Sequence, residues 1–208
     1  MIYPDKLITI QDGLKLYVPD PEQVKPLYEK LLDKDNTTPF PFWAKIWPSA
    51  EAMISFLKEE PHWIDGKHVL EVGAGIGVPS FAMAAHASAM IISDHAPEAV
   101  ALIEKNIQYL GLQHVKAMCL DWNHFPGDMR AETVLLSDIN YAPEQFGPLL
   151  ALIRTFLEQG ATIILSTPQR ITITPFAEAI HPFIKRSVLQ TVEHSSQTVD
   201  IRILVLSA

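Results

Sequence analysis

The chain has 208 residues, of which 16 are Lys or Arg and 24 Asp or Glu, so its net charge is −8 at neutral pH. A surface of that sign repels a phosphate backbone, which argues against nucleic acid as partner and for a small or basic one, while the length suits one domain with a sizeable core. The single cysteine, Cys119, allows no disulfide within the chain, as in a reducing compartment, and is expected to be a buried apolar residue.

The opening Met1-Ile-Tyr-Pro-Asp-Lys lacks the basic region and apolar core of a signal peptide, so the expected location is the cytoplasm. Leu7-Ile-Thr-Ile and Leu14-Lys-Leu-Tyr-Val flank Gln11-Asp-Gly13, which predicts a β-hairpin. Leu27, Tyr28, Leu31 and Leu32 share one face of a short helix. Asp35-Asn-Thr-Thr-Pro39 ends it and begins a loop rich in proline and aromatics. Ser49 then caps, or lies in the first turn of, a helix running through Leu57 and Lys58.

From Lys67 onward apolar runs at 69–72, 89–93, 115–120, 133–137 and 161–166 alternate with helical patterns, which implies a doubly wound, mostly parallel sheet with right-handed crossovers. The clearest helix begins at Pro97, places Val100, Ile103, Ile107 and Leu110 on one face and stops at Gly111. A second follows Pro143, with Leu149, Leu150, Ile153, Phe156 and Leu157 inward, and ends before Gly160. Two C-terminal strands, 187–192 and 199–206, flank the polar turn His194-Ser-Ser-Gln197 and form an antiparallel hairpin. The uncharged stretch 72–93 is long enough to span a bilayer. Pro79, Ser80, His86 and Ser88 divide it instead into a loop, a short helix and a buried strand, so no membrane is expected.

Ligands bind at the carboxyl ends of the strands in such sheets. Four of the apolar runs lead there to a carboxylate: Glu71, Asp94, Asp121 and Asp138. Glu71 belongs to Val69-Leu-Glu-Val-Gly-Ala-Gly-Ile-Gly-Val78, in which a strand meets three alternating glycines before a helix. Glycines there permit a sharp turn and close approach of backbone to a ligand. A dinucleotide fingerprint would place its third glycine at 78, where this chain has Val. A carboxylate beside the turn also disfavours a pyrophosphate and suits ammonium and sulfonium charges. Asp94 is positioned to accept ribose hydroxyls. Asp121-Trp122 pairs an acceptor for an exocyclic amine with a face for adenine.

The pattern E-x-G-x-G-x-G resembles motif I of the class I methyltransferases, and Asp138-x-x-Tyr141 resembles the D-x-x-Y signature of their family 16. Pro41-Phe-Trp-Ala-Lys-Ile-Trp-Pro48 is similar to a segment of the same family. The resemblance covers roughly residues 39–146. It implies a seven-stranded Rossmann-like sheet as one domain over 1–208, with 1–60 an extension forming part of the site and 61–208 the core. It also implies S-adenosylmethionine as cofactor: Trp47 beside its methionine or adenosyl portion, Gly73, Ala74 and Gly75 beneath it, Gly77 completing the loop, and Ser137 lining it by its backbone. Asp138 and Tyr141 would face the acceptor nitrogen. Trp43 or Phe42 is read as lining the entry channel with Tyr141, and His95, although next to Asp94, is read like the other histidines as a surface or core residue rather than an adenosine contact.

The acceptor implied is a protein with an exposed lysine. A small-molecule amine, a non-catalytic cofactor-binding module and an NAD-dependent oxidoreductase are the competing readings; Asp138 and Tyr141 argue against the module, Glu71 and Val78 against NAD. Eight histidines show no metal-ligand spacing, so no metal is expected, and no nucleophile elbow supports a hydrolase. The residues leave the oligomeric state open.

Overall fold

A computed structural model describes residues 3–140, 142–168 and 175–208. The hairpin expected at the N-terminus is present as β1 (Asp5–Thr9) and β2 (Lys15–Pro19), paired antiparallel across a turn in which Asp12 and Gly13 take positive φ. Asp20 caps α1 (Pro21–Leu32) by accepting the Glu22 N–H. α2 (Pro48–Glu59) starts at a proline with Ser49 in its first turn, and it is buried on most of its faces.

Six strands and four helices follow, alternating except between β5 and β6: β3 (His68–Val72), α3 (Val78–Met83), β4 (Ala89–Asp94), α4 (Pro97–Leu110), β5 (Val115–Cys119), β6 (Thr133–Ser137), α5 (Phe146–Glu158), β7 (Thr162–Pro168), α6 (Pro175–Ile180) and β8 (Ile184–His194). β9 (Gln197–Leu206) ends the chain. The seven-stranded sheet has the order β5-β4-β3-β6-β7-β9-β8, and β9, antiparallel to both neighbours, is the one strand that runs against the rest. The chain leaves β3 toward β4 on one side and later returns to β6 on the other, so the crevice of this doubly wound sheet opens between β3 and β6.

The continuous apolar runs of the central strands follow from burial on both faces. Val69, Met90, Ile92, Leu135 and Ile164 point into one core cluster with α2 and α4, while Leu70, Val72, Val134, Leu136 and Leu165 point into another beneath α5 and α6.

Three details differ from expectation. Leu152 rather than Leu150 completes the buried face of α5. The C-terminal hairpin is longer than expected and turns on Ser195 and Ser196 alone, both at positive φ, as a two-residue hairpin loop requires. Cys119 is exposed rather than buried, because β5 is an edge strand. None of the described helices is long and apolar enough to cross a membrane.

Candidate active site

The carboxyl ends of β3, β4 and β6 and the loop before α2 enclose a cavity of about 670 Å³. Its walls include Glu71, Asp94, Asp121, Trp122, Ser137 and Asp138, together with Gly73, Ala74 and Gly75. Trp47 lines it from the N-terminal side. Gly77 does not: at φ 78° it precedes α3 and faces Ile92 and Phe81. Tyr141 lies outside the described residues.

The glycines have a physical reason the sequence did not disclose. Gly73, Gly75 and Gly77 all adopt the left-handed region, and a Cβ on any of them would collide with protein. At Gly73 it would come within 2.9 Å of Ile139 Cγ2 and 3.0 Å of the Trp122 ring; at Gly75 within 2.9 Å of the Trp43 carbonyl oxygen. The loop is therefore clamped by side chains and by the aromatic segment, with its backbone left to line the cavity.

Glu71 is fully buried. Its Oε2 accepts the N–H and hydroxyl of Ser80 in the first turn of α3, whereas Oε1 has no hydrogen-bond partner. Burial pushes its pKa up to about 7, with the Ser80 hydrogen bonds opposing and the nearby Asp94 charge adding to the rise. A buried carboxylate with one oxygen unsatisfied, on the wall of a cavity, calls for a cationic or hydrogen-donating occupant.

Asp94, buried at the end of β4, accepts the Gly75 N–H on Oδ2 at 2.8 Å and the Ala96 N–H on Oδ1 at 2.9 Å. Each oxygen retains a second lone pair, so the side chain is held in place and can still accept two hydroxyls. Asp121 is more committed: it accepts from the Asn123 N–H, the Asn123 amide and the His124 ring, and these contacts, the Asn123 N–H foremost, hold its pKa below the usual carboxylate value. The Trp122 Nε1–H donates to Gln145 Oε1 at 3.0 Å, fixing the ring against Gly73. His95 lies on the same wall, its ring 6.5 Å from that of Trp122.

The aromatic loop closes the cavity from above. Trp47 precedes α2, donates its Nε1–H to the Phe42 carbonyl at 3.1 Å and carries the Lys45 ammonium over its ring at 4.5 Å. Tyr3 meets Trp43 edge-on at 5.4 Å and also lines the cavity, which sequence reasoning missed. Burial, and after it the Glu98 charge, raises the Tyr3 pKa. Phe40 and Phe42 stand exposed at the rim.

Across the cavity Asp138 follows β6. It is nearly buried, its N–H donates to the Ser166 carbonyl at 2.9 Å, and its backbone sits at φ 52°. Positive φ is tolerated best by Gly, Asn and Asp, and here it turns the chain sharply at the strand end. Ser137 Oγ accepts from Ser166 Oγ at 3.2 Å and so ties β6 to β7 just before that turn. Among the described residues no group of His, Cys, Asp and Glu could hold a metal ion.

These residues fit S-adenosylmethionine: an unsatisfied buried carboxylate oxygen at Glu71, two acceptor oxygens at Asp94 and an indole beside the glycine backbone. A family model described as lysine methyltransferase matches residues 30–188. The chain is 28% identical to human histone-arginine methyltransferase METTL23, covering 58% of this chain and 66% of the relative. It is 32% identical to calmodulin-lysine N-methyltransferase of Arabidopsis thaliana, covering 60% and 44% respectively. Across the curated relatives it matches, the chain spans about half to two thirds of their length. The fold is shared with N-methyltransferase NodS of Bradyrhizobium japonicum WM9 in complex with S-adenosyl-L-homocysteine, at TM-score 0.62 and 12% identity over 87% of this chain and 98% of that one.

Proposed function

Because this chain belongs to the lysine methyltransferase family of class I S-adenosylmethionine-dependent enzymes, we propose that it methylates a side-chain nitrogen of a protein, with a lysine amine as the acceptor. The observation that carries this reading is Asp138, a nearly buried carboxylate on a sharply turned backbone, in the wall of the same cavity as Glu71 and Asp94. The relatives' names support a protein acceptor, histone arginine in one and calmodulin lysine in another. On this reading residues 1–60 complete the site of a single methyltransferase domain that works in the cytoplasm.

S-adenosylmethionine is the family's cofactor, and when bound it supplies a methyl group activated by positive sulfur. The protein's part is to align the nucleophile and exclude water. Glu71 would hold cationic charge, Asp94 the ribose hydroxyls, and Asp121 with Trp122 the adenine, while Trp47 and the 73–75 backbone enclose the remainder. Ser137 would shape one end of that enclosure, while Gly77, outside the cavity wall, would serve by turning the chain into α3.

A lysine amine, with a reference pKa of about 10.4, reaches the site as an ammonium and must lose a proton before it can attack. Asp138 would capture and orient that cation, with Tyr141 as its partner in the motif. A carboxylate favours the charged form, so the proton would leave to water as the amine passes the aromatic rim of Phe42 and Trp43, where desolvation favours the neutral form.

The test is transfer of labelled methyl from S-adenosylmethionine into a proteome extract, followed by hydrolysis of the protein fraction. Labelled methyl-lysine is the expected result. Label confined to small molecules would overturn the protein acceptor, and labelled methyl-arginine would replace lysine.

A further inference from the structure

A second cavity, of about 380 Å³, lies beside the first at the same edge of the sheet. The segment after β6 joins them: Ser137, Asp138 and Ile139 line the large cavity and Asn140 lines the small one. One residue, Ile139, separates Asp138 from Asn140, a Cα span of at most about 7 Å. The two cavities therefore adjoin along this short segment of chain.

The walls are apolar, from Leu165 on β7, Phe176 and Ile180 on α6 and Leu204 on β9. Its polar lining is Asn140, Thr167, His181, Ser187 and Arg202, and Arg202 is the one that carries a permanent charge. Arg202 lies directly across the β7–β9 ladder from Thr167, which places their side chains on the same face of the sheet. The guanidinium donates through Nη1 to Ser187 Oγ at 3.0 Å, yet its Nε is buried with no hydrogen-bond partner. Asn140 is 2% exposed and its Oδ1 is equally unpartnered. Among the described residues no carboxylate lines the cavity. Burying polar groups unsatisfied is costly, and a guanidinium left so is costlier than an amide.

We infer that this cavity is a subsite for a carboxylate-bearing side chain, glutamate or aspartate, next to the methyl-accepting residue of the protein substrate. The inference rests on the reading that the acceptor is a protein. The carboxylate accepts from the Arg202 guanidinium, whose Nε–H lacks a partner, while the side chain's methylenes lie on Leu165 and Leu204. A lysine or arginine side chain is excluded by the unopposed guanidinium. The acceptor is thus selected by an acidic neighbour, although the enzyme's own net charge is −8 and would otherwise repel an acidic segment.

The test uses the full chain and two capped heptapeptides with a central lysine, flanked by glutamates in one and by glutamines in the other. The Arg202 Nε–H resonance is followed by NMR during each titration, and affinity is measured by calorimetry. The glutamate peptide is expected to shift that resonance saturably and to bind at least about ten-fold more tightly than the glutamine peptide, the worth of one charge-assisted hydrogen bond. In Arg202→Gln, shown to be folded by an unchanged unfolding temperature, the preference should vanish. Equal binding of the two peptides, binding of neither, or a glutamate preference that survives in Arg202→Gln overturns the subsite. Free glutarate shifting the resonance at lower concentration than the peptide does would overturn the peptide and assign the carboxylate to a small acid. None of these readouts depends on methyl transfer, so failure of the proposed activity would be seen separately, in the extract experiment.

Discussion

The two sides of the crevice are prepared differently. On the β3–β4–β5 side each carboxylate has at least one oxygen already held, Glu71 by Ser80, Asp94 by Gly75 and Ala96, Asp121 by Asn123 and His124, and Glu71 Oε1 is the oxygen left without a partner. On the β6–β7–β9 side Asn140 Oδ1 and Arg202 Nε are buried and unpartnered, and the backbone of Asp138 sits in a left-handed turn. A cofactor of fixed shape rewards a rigid, preorganised set of acceptors, whereas a variable macromolecular acceptor supplies some of the hydrogen bonds itself. On the proposed reading the donor side is the more completely held by the fold, with Glu71 Oε1 left for the cofactor, and the acceptor side draws more of its hydrogen bonds from the substrate.

The sharpest way to break this contrast is Asp138→Asn. The substitution keeps size and tolerance of positive φ while removing the charge, so methyl transfer should fall on the order of 1,000-fold as the acceptor loses its anchor. Affinity for S-adenosylmethionine by calorimetry should stay within about two-fold, because the donor-side carboxylates are untouched. Comparable losses in both would erase the division between the two sides.

The next largest effect belongs to Glu71 and concerns pH. Its folded pKa of about 7 lies above its ordinary 4.5, so the uncharged form is the one the fold favours. The stability this confers is complete below pH 4.5 and is lost as the pH rises through 7, about 3 kcal/mol in all for a shift of this size. Denaturant titrations of the cofactor-free chain should show that decline, and Glu71→Gln should flatten it. Cofactor affinity should move oppositely, rising by up to about ten-fold per unit as pH approaches 7 and levelling above it, since a cationic ligand favours the carboxylate. Affinity independent of pH between 6 and 8 would place the cationic charge of the cofactor elsewhere.

Gly75→Ala tests the clamp on the donor side. At φ 56°, with a Cβ due within 2.9 Å of the Trp43 carbonyl, alanine must strain the loop or displace the aromatic segment. A loss of about 2 kcal/mol in stability is expected, along with weaker cofactor binding. The Arg202 Nε–H resonance should not move, because it reports the other side.

How far the sequence reveals this division depends on whether each signal is local. Pro97 and Gly111 bracket α4, and Asp12-Gly13 marks the first hairpin, because caps and turns are written in adjacent residues. The carboxylates at the strand ends are legible for the same reason, since an apolar run ending in an acid is visible in one chain. Asn140 and Arg202 are not legible, because each is a lone polar residue beside an apolar run and only the pairing of β7 with β9 brings them to one cavity. The reason for Gly75 was equally hidden, since its neighbour in space is Trp43, far back in the chain. Cys119 was misread because burial depends on which strand becomes the edge, and that is decided by sheet order.

The smallest effect comes from the fastening of the N-terminal hairpin. Asn106 lies on the buried face of α4, where an apolar residue would be expected, and exchanges two hydrogen bonds with the backbone of Tyr17: it accepts the Tyr17 N–H at 2.8 Å and donates to the Tyr17 carbonyl at 2.9 Å. Lys105 assists from the next position, bonding Asp5 at 2.7 Å and lying over the Tyr17 ring at 3.9 Å. Asn106→Ala leaves two backbone groups of β2 without these partners and should cost about 1 to 2 kcal/mol, less than the other substitutions because water can reach a hairpin at the surface. Its specific consequence falls on the donor side. The hairpin is preceded by Tyr3, which touches Trp43 and lines the large cavity, so loosening it should weaken S-adenosylmethionine binding a few-fold. Lysine-peptide binding, read at Arg202, should be unchanged. If both fell together, the aromatic loop would belong to the acceptor side as much as to the donor, and the boundary between the two would have to be moved from the β3–β6 crevice to the hairpin itself.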